Sequence, residues 1–290
     1  MRSGSPHGGP ERALDRGKTE NPQRDRGCGQ GRLWIVSLGP GSSEHLTPRA
    51  AEALHEAEVV VGYKTYVGLV AGLVQGKDIR ASGMRKEIDR CREALDLALQ
   101  GRRVALVSGG DAGIYGMAGL VFDLCRAHGV TVRDGREEAK DSSDALPVEV
   151  IPGVAAFNAA ASLLGAPLMH DFAAVSLSDH LTPWEIIERR LEAAAEADFV
   201  IAIYNPRSAT RPDGLDRARS ILLRHRPGDT PVGVVHKAMR DGQRCLLTTL
   251  EGLDPEDVDM QTVLLVGNSH TYVWNGWMVT PRGYLDKYGT

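Results

Sequence analysis

The stretch SGGDAGIYGMAG, Ser108 to Gly119, spaces glycines at 110, 113 and 116 and sets Asp111 among them. Glycines allow a backbone to turn sharply and come close to a ligand. A carboxylate in the same loop changes which ligand that can be. Next to a pyrophosphate it would be repelled, with little water to screen the charge. It accepts hydrogen bonds from diols and attracts ammonium or sulfonium groups. The loop also lacks the Lys-Ser or Lys-Thr pair that follows the glycines of a phosphate-binding P-loop. The first strand runs into GPGSSEH, residues 39–45, which has no third glycine and so is not a dinucleotide fingerprint. A cationic ligand rich in hydroxyls and without phosphate fits these constraints, and S-adenosylmethionine is one.

Other chemistry-bearing residues cluster in SLSDHLTPW. Ser176, Ser178, Asp179, His180 and Thr182 stand at and beyond a strand end. His180 is a proton carrier by type. Asp179 or Thr182, with Glu185, would equally serve as the cap of the following helix. Cations that could meet carboxylates are Arg85, Lys86 and Arg90 in GMRKEIDR, and Arg207 and Arg211 in NPRSATR. Each could also be an ordinary solvated charge.

The elements positioning these residues alternate between strand and helix. LWIVSL, EVVVG, RVALVSGG and VEVIPGV read as buried strands. A helix is expected with Ala50, Ala53, Leu54 and Ala57 on one face, with Pro48 in its first turn. Others carry Ile88, Cys91, Leu95 and Leu99, or Met117, Leu120, Val121, Leu124 and Cys125, at helical spacing. In the second half, AAVSLS, FVIAIYNP, PVGVVH, CLLTTL and TVLLVGNS read as strands. TPWEIIERRLEAAAEA is a helix facing inward with Ile186, Ile187, Leu191 and Ala194. The expected fold class is α/β with two α/β domains, 32–151 and 152–290, and a cleft between them. Five turn-forming loops at strand ends, GPGSSEH, SGGDAGIYG, IPGVAA, YNPRS and VGNS, are expected to share one ligand there.

The 290 residues suffice for two such domains. A net charge of −4 provides no basic field for nucleic acid, and no apolar run is long enough to cross a membrane. Residues 1–31, rich in Gly, Pro and Arg, read as a disordered extension, and Asp134 to Ala145 as a solvated insertion. Cys28, Cys91, Cys125 and Cys245 form no C-x-x-C pair, as expected of free thiols in a cytoplasmic protein. No metal site is expected.

GPGSSEHLTPRA, VSGGDAGIYGMAGL, VEVIPGVAAFNAAASLLGAPLMHDF, VSLSDHLTPWEIIERRL, YNPRS and VGNSHT…VTPRGY resemble the tetrapyrrole methylase family over residues 32–284. Within it they are similar to the branch that methylates C17 of precorrin-3B, or its cobalt-containing counterpart, with ring contraction in cobalamin biosynthesis. The resemblance implies a fold that is not Rossmann, a homodimer, and S-adenosylmethionine folded into the inter-domain cleft. Carried over, the cofactor contacts are Pro40, Gly110, Asp111, Ala112, Ile114, Tyr115, Ala155, Ala156, Tyr204, Asn205, Ala238, Met239, Val266 and Gly267. The polar set Asp111, Ser178, Asp179, His180 and Thr182 would then serve catalysis, and the five cations would bind the tetrapyrrole's carboxylates. Ser42 stands where the wider family often has an acid. Methylation at another ring position, and a non-catalytic adenosyl-binding module, stay open as alternatives.

Overall fold

The computed structural model describes residues 31–137, 144–208 and 212–289. Residues 1–30 of the expected extension, Cys28 among them, half of the insertion (138–143), and Arg211 lie outside the described residues.

Six strands form an all-parallel sheet: β1 (Arg32–Ser37), β2 (Val59–Tyr63), β3 (Asp78–Ser82), β4 (Arg103–Ser108), β5 (Val132–Asp134) and β6 (Leu146–Ile151). Their order is β3-β2-β4-β1-β6-β5. The central strands are continuous apolar runs because both faces are covered. Leu33 and Ile35 of β1 pack with α3 (Glu87–Leu99) and α4 (Ala118–Ala127), while Trp34 and Val36 pack with α1 (Pro48–Glu56) and α2 (Lys64–Leu69). Thr47 caps α1 by accepting the Ala50 N–H at 3.2 Å, with Pro48 in the first turn. Such a cap contributes about 1 kcal/mol. Cys91 and Cys125 are buried on the inner faces of α3 and α4 as expected, and burial pushes the Cys91 thiol up to about 12. That keeps it an inert thiol.

Two details differ from the sequence reading. Ile88 is exposed, and Arg90 takes the inward place beside Cys91. The edge strands β3 and β5 escape detection because neither carries a buried apolar run. Asp134 is therefore the last residue of a strand, not the start of the insertion.

α5 (Ala156–Leu164) leaves the end of β6 and packs on a second sheet. That sheet contains β8 (Phe172–Ser176), β9 (Val200–Tyr204), β10 (Pro231–His236), β11 (Arg244–Thr249) and β12 (Thr262–Val266), in the order β11-β10-β12-β9-β8. β8 and β9 are parallel, whereas β12 runs antiparallel to both β9 and β10. Its outer face is covered by α6 (Trp184–Glu196) and α7 (Gly214–Leu222). Gly233 of β10 lets Leu164 of α5 rest on the strand, since a Cβ there would lie 2.2 Å from the Leu164 Cδ1. A small third sheet joins β7 (Gly165–Ala166) to the hairpin of β13 (Tyr272–Trp274) and β14 (Trp277–Val279). The chain ends in α8 (Tyr284–Tyr288). Among the described residues no helix is long and apolar enough to cross a membrane.

Candidate functional site: a cleft between the two sheets

In the first sheet β4, β1 and β6 are neighbours, so the loops at their carboxyl ends meet. Three contacts lock them. The buried Ser37 Oγ accepts the Ala112 N–H at 2.9 Å. Gly39 and Gly110 exchange main-chain hydrogen bonds of 3.1 and 2.7 Å. Asp111 accepts the Gly113 N–H on Oδ1 at 2.8 Å and the Gly153 N–H on Oδ2 at 3.0 Å. The carboxylate inside the glycine loop is thus held by two amides. Each of its oxygens keeps a lone pair for a ligand.

The second sheet supplies the facing wall. The Tyr115 hydroxyl donates to the Ala174 carbonyl of β8 at 2.9 Å, which ties the glycine loop to that sheet. Its ring lies 5.0 Å from that of Tyr204 at the end of β9. The Tyr204 hydroxyl accepts the Phe157 N–H at 3.1 Å, at the first turn of α5, where no side chain caps the helix. Burial pushes the Tyr204 phenol up to about 12. Asn205 donates to the Ser176 hydroxyl at 2.9 Å.

Between these walls lies a cleft of about 210 Å³. Its backbone is strained. Tyr115, Asn205, Lys237 and Met239, four of the seven non-glycine residues with positive φ among those described, lie on or beside it. Such strain collects at functional sites.

Nine of the sequence-predicted cofactor residues line the cleft: Pro40, Gly110, Asp111, Ile114, Tyr115, Ala156, Tyr204, Asn205 and Ala238. Ala112 and Ala155 are buried behind it, and Met239 follows Ala238 in the β10–β11 turn. Val266 and Gly267 are not there. β12 is antiparallel to β9, so Val266 pairs with Ile201 at the far end of the sheet, and Gly267 donates to the Pro231 carbonyl at the start of β10. The opposite end of β12, Thr262 and Val263, faces the cleft instead.

Three of the predicted substrate cations have partners of their own, and the first, Lys86, pairs with Asp89 at 3.1 Å on the exposed first turn of α3. Arg90 is buried and donates to the Ser82 hydroxyl at 3.1 Å, the Gly83 carbonyl at 3.2 Å and Glu87 at 3.3 Å, pinning α3 to the end of β3. Arg207 donates to the Pro255 carbonyl at 2.7 Å and to Glu256 at 2.8 Å. Arg85, with a φ of 59°, and Lys86 are exposed at the carboxyl end of β3, on the same end of the parallel sheet as the cleft loops. In the SLSDHLTPW loop, Asp179 and His180 are exposed, and Ser178 donates its N–H to Ser176 at 3.2 Å. Neither Asp179 nor Thr182 caps α6, whose N-cap position is Pro183. None of Ser178, Asp179, His180 or Thr182 lines the cleft, but Ser176 links their loop to Asn205 on its wall.

The sequence reading missed Tyr66 and Leu69 of α2, Gly109, Val235, Arg240, and Met260 to Val263. A signal for several of these existed. The connection between PVGVVH and CLLTTL, residues 237–244, is short enough to force an antiparallel pair. That turn carries Arg240 to the cleft.

The donor set fits a zwitterionic, hydroxyl-bearing ligand. One carboxylate and one guanidinium face a backbone-lined, partly aromatic space. Among the described residues no three His, Cys, Asp or Glu side chains cluster to hold a metal.

Comparison with known proteins agrees with this geometry. Residues 32–254 match the family Tetrapyrrole (Corrin/Porphyrin) Methylases. A probable cobalt-factor III C(17)-methyltransferase of Salmonella typhimurium is 51% identical over 87% of this chain and 99% of its own length. A cobalt-factor III methyltransferase of Priestia megaterium is 48% identical over 89% of this chain, which spans only 46% of that longer protein. The crystal structure of the methyltransferase CobJ superposes with a TM-score of 0.79 at 38% identity, covering 87% of this chain and all of that one. The chain belongs to the tetrapyrrole methylases.

Proposed function

We propose that this chain is a C17-methyltransferase of cobalamin biosynthesis, which transfers a methyl group from S-adenosylmethionine to a cobalt-containing precorrin-3B-type macrocycle and contracts its ring. The observation that carries this reading is the cleft: a carboxylate locked by two amides, on glycine loops, facing a second sheet, in a chain of this family. The names of the 51% and 48% identical relatives favour the cobalt-containing substrate over the metal-free one.

When bound, S-adenosylmethionine supplies an electrophilic methyl group on a sulfonium. The residues that would hold it are Pro40, Gly110, Asp111, Ile114, Tyr115, Ala156, Tyr204, Asn205, Ala238 and Val263. Displacement at such a carbon needs alignment more than a strong base. The locked loops supply that alignment without any side chain having to move. Asp111 presents free lone pairs to hydroxyls or to positive charge. Ile114, Tyr115 and Val263 give the cleft an apolar wall. The exposed loop with Ser178, Asp179, His180 and Thr182 is assigned to the macrocycle, with His180 moving a proton at its edge during contraction. Arg85 and Lys86 meet its carboxylates.

The chain is further proposed to act as a cytoplasmic homodimer. Exposed Tyr272, Trp274, Trp277, Tyr284, Leu285 and Tyr288 on β13, β14 and α8 support a self-associating surface. Incubation with cobalt-factor III and, separately, precorrin-3B, each with S-adenosylmethionine, tests the activity. A ring-contracted product by mass spectrometry, with NMR placing the methyl group on C17, is expected. Tight S-adenosylhomocysteine binding without turnover would leave a non-catalytic module instead.

A further inference from the structure

Arg240 is the only cation lining the cleft among the described residues, and the proposed reaction gives it no task. Its Nε is closed off from solvent and has no hydrogen-bond partner among the described residues. A buried donor left without a partner costs roughly 1–3 kcal/mol. Such an orphaned donor calls for an explanation, and at the wall of a cleft a bound ligand is one.

The surroundings are built to hold this side chain. The stem of Arg240 lies against Gly41 of the β1 loop, where a Cβ would come within 2.5 Å of both its Cγ and its Cδ. Gly41, with a φ of 141°, therefore makes the seat for a residue from the other sheet. The turn that carries Arg240 is strained at Lys237 and Met239, whose φ values are 49° and 57°. It is braced by the Met239 N–H donating to the Gln243 side chain at 2.8 Å and the Gln243 N–H donating to the Arg240 carbonyl at 3.0 Å. A surface arginine needs none of this. Asp111 provides the cleft's negative charge, and Arg240 provides the positive charge.

We propose that Arg240, seated on Gly41, is the carboxylate receptor of the cleft. This rests on the functional reading above. Two carboxylates could occupy it: that of the methyl donor's amino-acid end, or an acetate or propionate of the macrocycle. A guanidinium suits either, because its planar fork matches a carboxylate.

The test uses the full chain as wild type, Arg240→Gln, Arg240→Lys and Gly41→Ala. Calorimetry is run with S-adenosylhomocysteine and with 5′-methylthioadenosine, which lacks the carboxylate. Fluorescence quenching is run with uroporphyrin as the polycarboxylate macrocycle. Arg240→Gln is expected to weaken one carboxylate-bearing probe by roughly tenfold or more. Its affinity for 5′-methylthioadenosine should be unchanged, which also shows that the variant is folded. Arg240→Lys should keep part of the lost affinity, and Gly41→Ala should mimic Arg240→Gln by displacing the stem. Loss confined to S-adenosylhomocysteine identifies the donor's carboxylate, and loss confined to uroporphyrin identifies the macrocycle's. If wild type binds the probes and Arg240→Gln binds both carboxylate probes equally well, this inference fails and the functional reading stands. If wild type binds none of the three, both fail.

Discussion

Asp111 accepts the Gly153 N–H on Oδ2 at 3.0 Å and thereby joins the loop after β4 to the loop after β6, across the end of β1. Its other oxygen accepts from Gly113 within its own loop at 2.8 Å. Asp111→Asn should separate the scaffold role from the charge role. An amide keeps one acceptor but turns an NH2 toward an N–H, so one of the two bonds is lost and the net charge disappears. Hydrogen bonds to charged groups contribute about 1.5–3 kcal/mol. Calorimetry with S-adenosylhomocysteine is expected to show affinity reduced by roughly tenfold or more. Unchanged affinity would mean that the carboxylate serves neither loop geometry nor ligand.

Two glycines of this site should respond differently to alanine. Gly153 has no left-handed φ, but its Cβ would lie 2.6 Å from the Gly110 carbonyl oxygen and 2.6 Å from the Ser37 Cβ. Neither neighbour is the end of a flexible side chain. Gly110 has a φ of 64° and open space, with 3.6 Å to the nearest atom. Gly110→Ala therefore costs only its backbone strain, about 1–2 kcal/mol. Gly153→Ala must push two strand-end loops apart and should cost about 1–3 kcal/mol as overpacking, with a further loss of ligand affinity. Denaturant midpoints compare the two. A larger loss for Gly110→Ala would contradict the close approach at Gly153.

Tyr204 carries the entry of α5. Ala155 offers no side-chain cap, so the Phe157 N–H depends on the Tyr204 hydroxyl at 3.1 Å. Tyr204→Phe leaves that donor stranded and should destabilise the chain by about 1–3 kcal/mol. Burial raises the phenol to about 12, so ultraviolet titration of wild type should show a tyrosine ionising in that range. Loss of that step in Tyr204→Phe, together with a lower denaturant midpoint, is the expected result. A variant as stable as wild type would show that water reaches the α5 terminus.

Most of this site could be read from the sequence wherever strands are parallel and sequential. The GPG, GGD and PGV loops follow three strands that turn out to be neighbours, and their residues reach the cleft. Reading failed at Val266 and Gly267 because a strand's residues do not state its direction. A carboxyl end faces the ligand only where the strand runs parallel to its site-forming neighbours, and β12 is reversed. Tyr66 was missed for a related reason. It depends on β2 lying beside β4, and strand order is a property of packing, not of spacing. The arginines were hard for another reason. Arg90 and Arg207 resemble ligand-binding cations by type, yet nearby acceptors already occupy them. Arg240 directly follows the expected contacts Ala238 and Met239 in a short turn, but nothing in its residue type separates it from the other arginines until the cleft places it on the wall.

The Arg49–Glu149 pair gives a pH signature independent of the site. Arg49 of α1 donates to both carboxylate oxygens of Glu149 on β6, at 2.8 and 2.7 Å. The guanidinium holds the Glu149 carboxyl below its ordinary value of 4.5, against an opposing effect of burial. A depressed folded-state value means the unfolded chain binds the proton more readily. The pair's stabilisation is therefore fully present above about pH 4.5 and is lost as pH falls through the lower, folded-state value. Glu149→Gln should lower the wild-type denaturant midpoint near neutrality by an amount corresponding to about 1–3 kcal/mol. The gap between the two proteins should stay level down to about pH 4.5 and close below it. A gap that widened with acid would mean that the buried carboxyl is already protonated in the folded chain, and the bidentate pair would then have no charge to lose.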